Sequence, residues 1–157
     1  MKYSKDYTSE ELMVIEASRY LGDEDTVVVG TGLPMIASMF AQKTHAPSVN
    51  LLIESGAMDP IFTSVPISVT DPRMMARAAR LGTTREVLGS LLQKGLVDVG
   101  FLGGAQIDQF GNINSTYIGD PSNPKVRLPG SGGANGIASN VNKILIIVQH
   151  EKRRFPA

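Results

Sequence analysis

The 157-residue sequence contains no cysteine, which excludes a disulfide framework, a thiol nucleophile and any thiolate metal site. Its two histidines, His45 and His150, are far apart and neither belongs to a ligand-spaced cluster, so no metal site is expected. It has no excess charge of either sign. Fifteen basic and fifteen acidic residues cancel, which removes the electrostatic footprint of proteins that bind nucleic acids or anionic membranes. Long apolar runs are absent too: none approaches the ~18 residues of a membrane span. The N-terminal stretch MKYSKDYTSEEL is polar, without an apolar signal core. The expectation is a cytoplasmic protein with neither nucleic acid nor membrane as a partner.

What is present is core-forming material. With 42% hydrophobic residues, a chain of this length can bury a real core, and residues 1–157 are read as one domain. Thr8 and Glu11 have the spacing of a capping box, predicting an amphipathic helix from Ser9 to Leu21 that stops at Gly22. Thr26 to Val29 is a β-branched run delivering Gly30-Thr31-Gly32, and Pro34 suits the start of a helix through Lys43. Strand, glycine turn, helix and the apolar run from Asn50 make a βαβ unit, so the sheet is at least partly parallel. The stretch IFTSVPISVT contains Pro66, which reduces it to an edge strand or extended loop.

Farther along, Asp71 is placed to cap a helix from Pro72 with Met74, Met75 and Ala78 on its apolar side. Thr84 is placed to cap another through Leu91, Leu92 and Lys94, closed by Gly95. Val97 to Leu102 reads as a buried strand, IDQFGNINSTYIG as a hairpin turning near Gly111-Asn112, Lys125 to Leu128 as a short strand and Lys143 to Val148 as the last one. HEKRRFPA follows as a solvated end. No closing helix follows that last strand, which predicts a fragment of a longer subunit or an edge covered by a partner chain.

The sequence is organised around Asn50 to Pro60, NLLIESGAMDP. An apolar strand stops on Glu54, which is thereby presented at a carboxyl strand end, where open α/β sheets place their ligands. Gly56 permits a sharp turn there, and Asp59-Pro60 marks a turn rather than a continuing strand. Such a carboxylate is a ligand, a reagent or a solvated loop acid. Gly30-Thr31-Gly32 imitates a dinucleotide fingerprint in which Glu54 holds a ribose hydroxyl, but Met35 stands where the third glycine is needed; a tight turn feeding a helix accounts for these glycines. The run Gly130-Ser131-Gly132-Gly133-Ala134-Asn135-Gly136 exposes successive backbone amides and suits an anion cradle or oxyanion hole, or else a flexible loop. It has neither the lysine of a Walker loop nor the spacing of a serine nucleophile elbow.

Five motifs in order, VGTGLP at 29–34, ESGAMD at 54–59, GGAQID at 103–108, FGNINST at 110–116 and GSGGANGIAS at 130–139, together resemble the B subunits of family I coenzyme A transferases, in particular the glutaconate CoA-transferase type. The resemblance runs from about Tyr7 to Phe155. Ser55 stands where the wider family usually has asparagine, and the glutaconate-type subunits share that serine; those subunits also continue well past residue 157. The resemblance implies an open, mostly parallel α/β sheet flanked by helices, of the CoA-transferase type. It implies Glu54 as the nucleophile of a ping-pong transfer between an acyl-CoA and a small carboxylic acid, through a mixed anhydride and a glutamyl-CoA thioester. It further implies coenzyme A thioester as substrate rather than any permanently bound cofactor, and an A subunit as partner in a hetero-oligomer.

On the same basis Gly132, Gly133 and Asn135 are assigned near the thioester or pantetheine, Gln106 and Asn114 to the same face, and Gly30, Gly32, Ser55 and Gly56 to loop contacts. Acyl selectivity is expected to lie largely in the partner. Two other readings stand beside transfer: a relative of this fold that hydrolyses, decarboxylates or ring-opens a CoA ester, and a non-catalytic truncated subunit that pairs with an A-like chain.

Overall fold

A computed structural model describes residues 6–156; Met1 to Lys5 of the polar N-terminus, and Ala157, lie outside the described residues. Helix α1 (Ser9–Ser18) starts with the expected capping box, Glu11 N donating to Thr8 Oγ1 at 3.1 Å and Thr8 N to the Glu11 carboxylate at 2.7 Å. The bond donated by the Thr8 backbone N–H, and after it one from the Thr8 hydroxyl at 2.9 Å, hold the Glu11 carboxyl below its ordinary range. The helix ends three residues before Leu21, which is buried from a turn instead.

Strand β1 (Thr26–Val29) leads into helix α2 (Leu33–Thr44), whose proline sits in the first turn as expected, and then into strand β2 (Asn50–Ile53), parallel to β1. After Glu54 the chain doubles back: strand β3 (Ala57–Met58) pairs antiparallel with β2, and strand β4 (Arg80–Leu81) pairs with β3. Their two-residue lengths left no periodic signal in the sequence. Strand β5 (Val99–Leu102) then crosses to the other side of β1 and is parallel to it.

Hairpin strands β6 (Gln106–Ile107) and β7 (Ile113–Asn114) follow, then a second hairpin, β8 (Tyr117–Asp120) and β9 (Asn123–Arg127). Helix α3 (Ala134–Asn140) emerges from the glycine run, and strand β10 (Lys143–Ile146) pairs parallel with β5. The main sheet has the order β10-β5-β1-β2-β3-β4. It is mixed and mostly parallel, with helices on it, as the sequence implied.

Both faces of that sheet are covered because its central strands are apolar on both sides. Val27, Val29, Leu51, Ile53, Val99 and Phe101 join α1 and α2 on one face. Val28, Leu52 and Leu102 meet Val87, Leu92 and Ile137 on the other. At roughly 1.5–3 kcal/mol per fully buried aliphatic side chain, these two layers outweigh the caps and hairpins around them. The start of the parallel strands is tied by Asp98, whose carboxylate accepts from Thr26 N at 2.9 Å and Asn142 Nδ2 at 3.2 Å. That tie holds β1, β5 and β10 in register at one end, so their other ends finish together.

Three expectations give way. The helix from Pro72 is a single 3-10 turn, Pro72–Met74, because Asp71 commits its carboxylate to the Arg73 guanidinium, Arg73 N and Ile67 N and folds the chain back on itself. The Arg73 side chain, foremost, keeps the Asp71 carboxyl far below the ordinary carboxylate range. The segment from Arg85 to Leu91 is π-helical, and its capping hydroxyl belongs to Thr83, not Thr84: Glu86 N donates to Thr83 Oγ1 at 3.3 Å and Thr83 N to Glu86 Oε2 at 2.9 Å. Helix α3 was not expected, since glycine and asparagine at its start carry little helical propensity; it forms because Ile137 packs into the Cβ-free surface of Gly100 on β5.

Gly56 is required by space as well as by conformation. Its φ is +111°, and a Cβ on it would stand 2.6 Å from the carbonyl carbon of Gly82. Gly56→Ala should therefore lower stability in urea unfolding by about 2 kcal/mol or more. Gly30→Ala, where the added carbon meets nothing within 4 Å, should change it by less than about 1 kcal/mol.

Candidate active site

The register pairs Val29 with Ile53, so Gly30 and Glu54 leave the sheet side by side, and Gly103 leaves it at the end of β5. The sheet order reverses here: the chain runs outward from β1 through β2, then returns to place β5 on the other flank. A crevice at such a switch point is where open α/β sheets bind ligands. A cleft of about 340 Å³ lies there, lined by Val28, Val29, Gly30, Glu54, Phe101, Leu102 and Gly103 from the strand ends and by the run from Pro129 to Ala134 with Ile137 beyond. Glu54 is the only ionisable side chain in that lining.

Glu54 is exposed to solvent while Ile53 beneath it is fully buried, so the carboxylate stands on a rigid base. The turn after it is closed by Gly56 N donating to Ile53 O at 2.9 Å. Across the cleft, Gly130 N donates to Ser115 O at 2.8 Å and Ala134 N to Ser131 O at 2.9 Å. Between these two anchors, the amides of Gly132 and Gly133 have no acceptor among the described residues. Gly132 has φ +49°, which turns the chain so that bare backbone faces the space opposite Glu54. Uncommitted backbone N–H groups in the wall of a cleft that also holds a carboxylate suit the stabilisation of negative charge on a substrate oxygen.

Two further clefts neighbour this one through shared wall residues. The next, of about 370 Å³, shares Leu102, Gly103, Ser131 and Ala134 with the Glu54 cleft and adds Asn135. The third, of about 410 Å³, shares Asn112 and Ile113 with the second and contains Gln106 and Asn114. Gly30, Glu54, Gly132 and Gly133 thus come together, with Asn135 one step away and Gln106 and Asn114 two steps away. Gly32, Ser55 and Gly56 do not line the Glu54 cleft. The Ser55 hydroxyl is sequestered, without a hydrogen-bond partner among the described residues.

The amides of Gln106 and Asn114 are largely committed to the fold. Asn114 Nδ2 donates to Gln106 Oε1 and to Tyr117 O, both at 2.8 Å; Thr116 N donates to Asn114 Oδ1 at 3.0 Å; Gln106 Nε2 donates to Arg153 O at 3.3 Å. In the same cleft Asp108 accepts from Asn112 Nδ2 and from the amides of Asn112 and Phe110, and these bonds, the Asn112 side chain foremost, lower its carboxyl from the ordinary range. The C-terminal charges form the solvated end expected, Lys152 and Arg153 being exposed, and within it Glu151 pairs with Arg153 at 2.6 Å and with Arg154 at 3.5 Å. Leu102 and Phe101 were legible only as buried strand residues, because an apolar cleft wall carries the same pattern as a core strand, and Ile137 only as part of the motif at 130–139. No cluster of three or more metal-ligating side chains occurs among the described residues, and no helix is long and apolar enough to cross a membrane.

Residues 11–156 match the coenzyme A transferase family profile. The chain is 44% identical to the B subunit of glutaconate CoA-transferase from Acidaminococcus fermentans over 153 residues, covering 95% of this chain and 57% of that protein. It is equally similar to the B subunit of 3-oxoadipate CoA-transferase from Pseudomonas knackmussii, 44% over 149 residues with the same coverage. The chain therefore spans little more than half the length of these relatives. Among solved structures, glutaconate CoA-transferase of Acidaminococcus fermentans superposes with a TM-score of 0.86 at 42% identity, covering 98% of this chain and 60% of that one. The decarboxylase AibA/AibB superposes with a TM-score of 0.86 at 28% identity, covering 96% and 63%.

The commitment of Asn114 gives a local prediction. Asn114→Ala removes three hydrogen bonds that join β6, β7 and the turn into β8, and should cost about 1–3 kcal/mol. Amide exchange should rise in that hairpin and not in the parallel strands.

Proposed function

We infer the function from one premise: this chain belongs to the coenzyme A transferase family. We propose that it acts as the B subunit of a CoA-transferase, together with an A subunit, and that Glu54 is the nucleophile. The observation that carries the proposal is the isolation of Glu54 as the only ionisable group of a cleft whose opposite wall offers the uncommitted amides of Gly132 and Gly133.

In the proposed cycle the Glu54 carboxylate attacks the thioester carbonyl of an acyl-CoA, and the C–S bond breaks to leave an acyl-glutamyl anhydride and CoA thiolate. The thiolate attacks the γ-carbonyl of Glu54, giving a glutamyl-CoA thioester and releasing the acyl group as its carboxylate. An acceptor carboxylate repeats both steps in reverse and leaves with CoA. No net oxidation, proton or water is needed. A carboxylate is a weak nucleophile, so the site must hold it against the thioester and receive the developing oxyanion on preplaced donors, each worth about 3 kcal/mol. Gly132 and Gly133 fill that role in this reading.

The three neighbouring clefts suit an extended substrate, with the thioester at Glu54 and the coenzyme arm passing Gly103, Ser131 and Asn135 toward Gln106 and Asn114. Asp108, held ionised in the last cleft, repels phosphates. The uncharged pantetheine is therefore assigned there, and the phosphates of the coenzyme elsewhere. A second reading is decarboxylation of a CoA ester, favoured by the likeness to AibA/AibB. In that reaction Glu54 acquires no CoA.

The test is chemical. The enzyme assembled with its A subunit, given acyl-CoA and no acceptor acid, should carry CoA in thioester linkage on the peptide Leu52 to Asp59. Borohydride should then reduce the thioester and inactivate the enzyme, while enzyme not exposed to acyl-CoA survives, because a free carboxylate resists that reagent. Glu54→Ala should lose at least ~100-fold in turnover with its fold unchanged. Label on another acid would overturn the site; loss of carbon dioxide from the substrate without label would support the decarboxylase.

A further inference from the structure

The segment of 21 residues from Ile61 to Leu81, which leads from β3 into β4 and includes it, departs from the general pattern of burial. Five of the fourteen large apolar side chains exposed among the described residues belong to it: Ile61, Val65, Ile67, Met75 and Leu81, exposed by 54, 42, 84, 43 and 59%. A loose loop would display apolar groups at little cost to shape, but this segment is stapled. Asp71 accepts from Ile67 N at 3.1 Å, from Arg73 N at 3.0 Å and from the Arg73 guanidinium at 2.6 Å, while Arg73 Nη1 donates to Ser64 Oγ at 3.4 Å. Met74 below is fully buried and anchors the strap to the core. Ile67 is thus held in place by the bond its own amide donates to Asp71.

The charge of this region is also one-sided. Asp71 is consumed by Arg73 and Glu86 by Arg80, which leaves Arg77 and Arg85 exposed and without an acidic partner among the described residues. An ordered apolar patch beside unpaired guanidinium groups matches a protein surface with an apolar centre and carboxylates at its rim.

The strap is joined to the turn that carries Glu54. Ala79 N donates to Asp59 O at 3.3 Å, Ala57 and Met58 pair with Leu81 and Arg80, and Gly82 N donates to Gly56 O at 2.9 Å. The C-terminal end of the strap is therefore fixed beside the Glu54 turn. Building on the function proposed above, we propose that the 61–81 strap, with Arg77 and Arg85, is the surface on which the A subunit docks, through an apolar patch edged by acidic residues. Docking there closes the side of the sheet next to Glu54, where a thioester intermediate needs water kept out.

The absence of native cysteine makes the test direct. Ile67→Cys places a single thiol at the most exposed of these positions, and its rate of labelling in the free chain should fall by at least about tenfold when the co-expressed A subunit is added. A thiol placed at Val126, on the remote hairpin β8–β9, should label at the same rate in both states. Ile67→Asp should weaken binding of the A subunit by about tenfold or more, with the unfolding midpoint of the free chain unchanged; Arg77→Glu should weaken it and reduce its dependence on salt. Unchanged labelling and binding, with wild-type chain still binding the A subunit, would overturn the docking surface and leave the proposed function standing. Failure of wild-type chain to bind any A subunit would overturn both. If Ile67→Asp instead abolishes self-association of this chain alone, without affecting A-subunit binding, the occupant is a second copy and the proposal is wrong.

Discussion

The backbones of Gly56 and Gly82 lie so close that a side-chain carbon on Gly56 would meet Thr83 N at 2.8 Å, and Gly82 N donates to Gly56 O across the contact. This approach forces the chain out of the β2 line immediately after Glu54. It permits β3 to turn back against β2, fixes where the 61–81 strap ends and places the Thr83–Glu86 cap at the entrance to the π-helical segment. Without it, β2 would run on and Glu54 would be one more strand residue with its side chain facing a helix layer. Because the contact is between two backbones, no side-chain substitution nearby can replace it.

The second organising constraint is the reversal of sheet order at β1. Two parallel neighbours that diverge in connectivity leave their carboxyl ends uncovered by a crossover, and the glycine run from Gly130 reaches across this gap because Ser115 and Ser131 hold its two ends. Gly100 then matters from beneath. Lacking a side chain, it lets Ile137 settle on β5, and that seats α3 so that the residues before it face Glu54. The cleft is therefore built from long-range packing at its base and two uncommitted amides at its rim.

These relations mark what sequence alone conveys. The strands Thr26–Val29 and Asn50–Ile53 were legible because unbroken apolar runs between turn signals have few other readings, and Glu54 followed from where the second run stops. The capping box at Thr8 was legible because its two partners are three residues apart. Thr83 was passed over for Thr84 because adjacent threonines offer the same hydroxyl, and only the position of Glu86 decides between them. Helix α3 and strands β3 and β4 depend on contacts with Gly100, Leu52 and each other, which carry no local period. The grouping of Gly132 and Gly133 with Glu54 was legible as a shared motif set. That Asn114 and Gln106 commit their amides to each other was not, since side-chain pairing across a hairpin depends on its register.

The solitude of Glu54 in its cleft bears on fidelity. A side reaction in which water attacks the thioester needs a base to take the water proton, and the lining of this cleft provides one candidate only, the same carboxylate that carries the acyl group or the coenzyme in the proposed cycle. Once loaded, the carboxylate is an ester-like carbonyl and no longer a base. On this chain's side of the cleft, each turnover thus disarms its own hydrolytic leak for the interval in which the activated intermediate exists, and rearms it only when the product has formed.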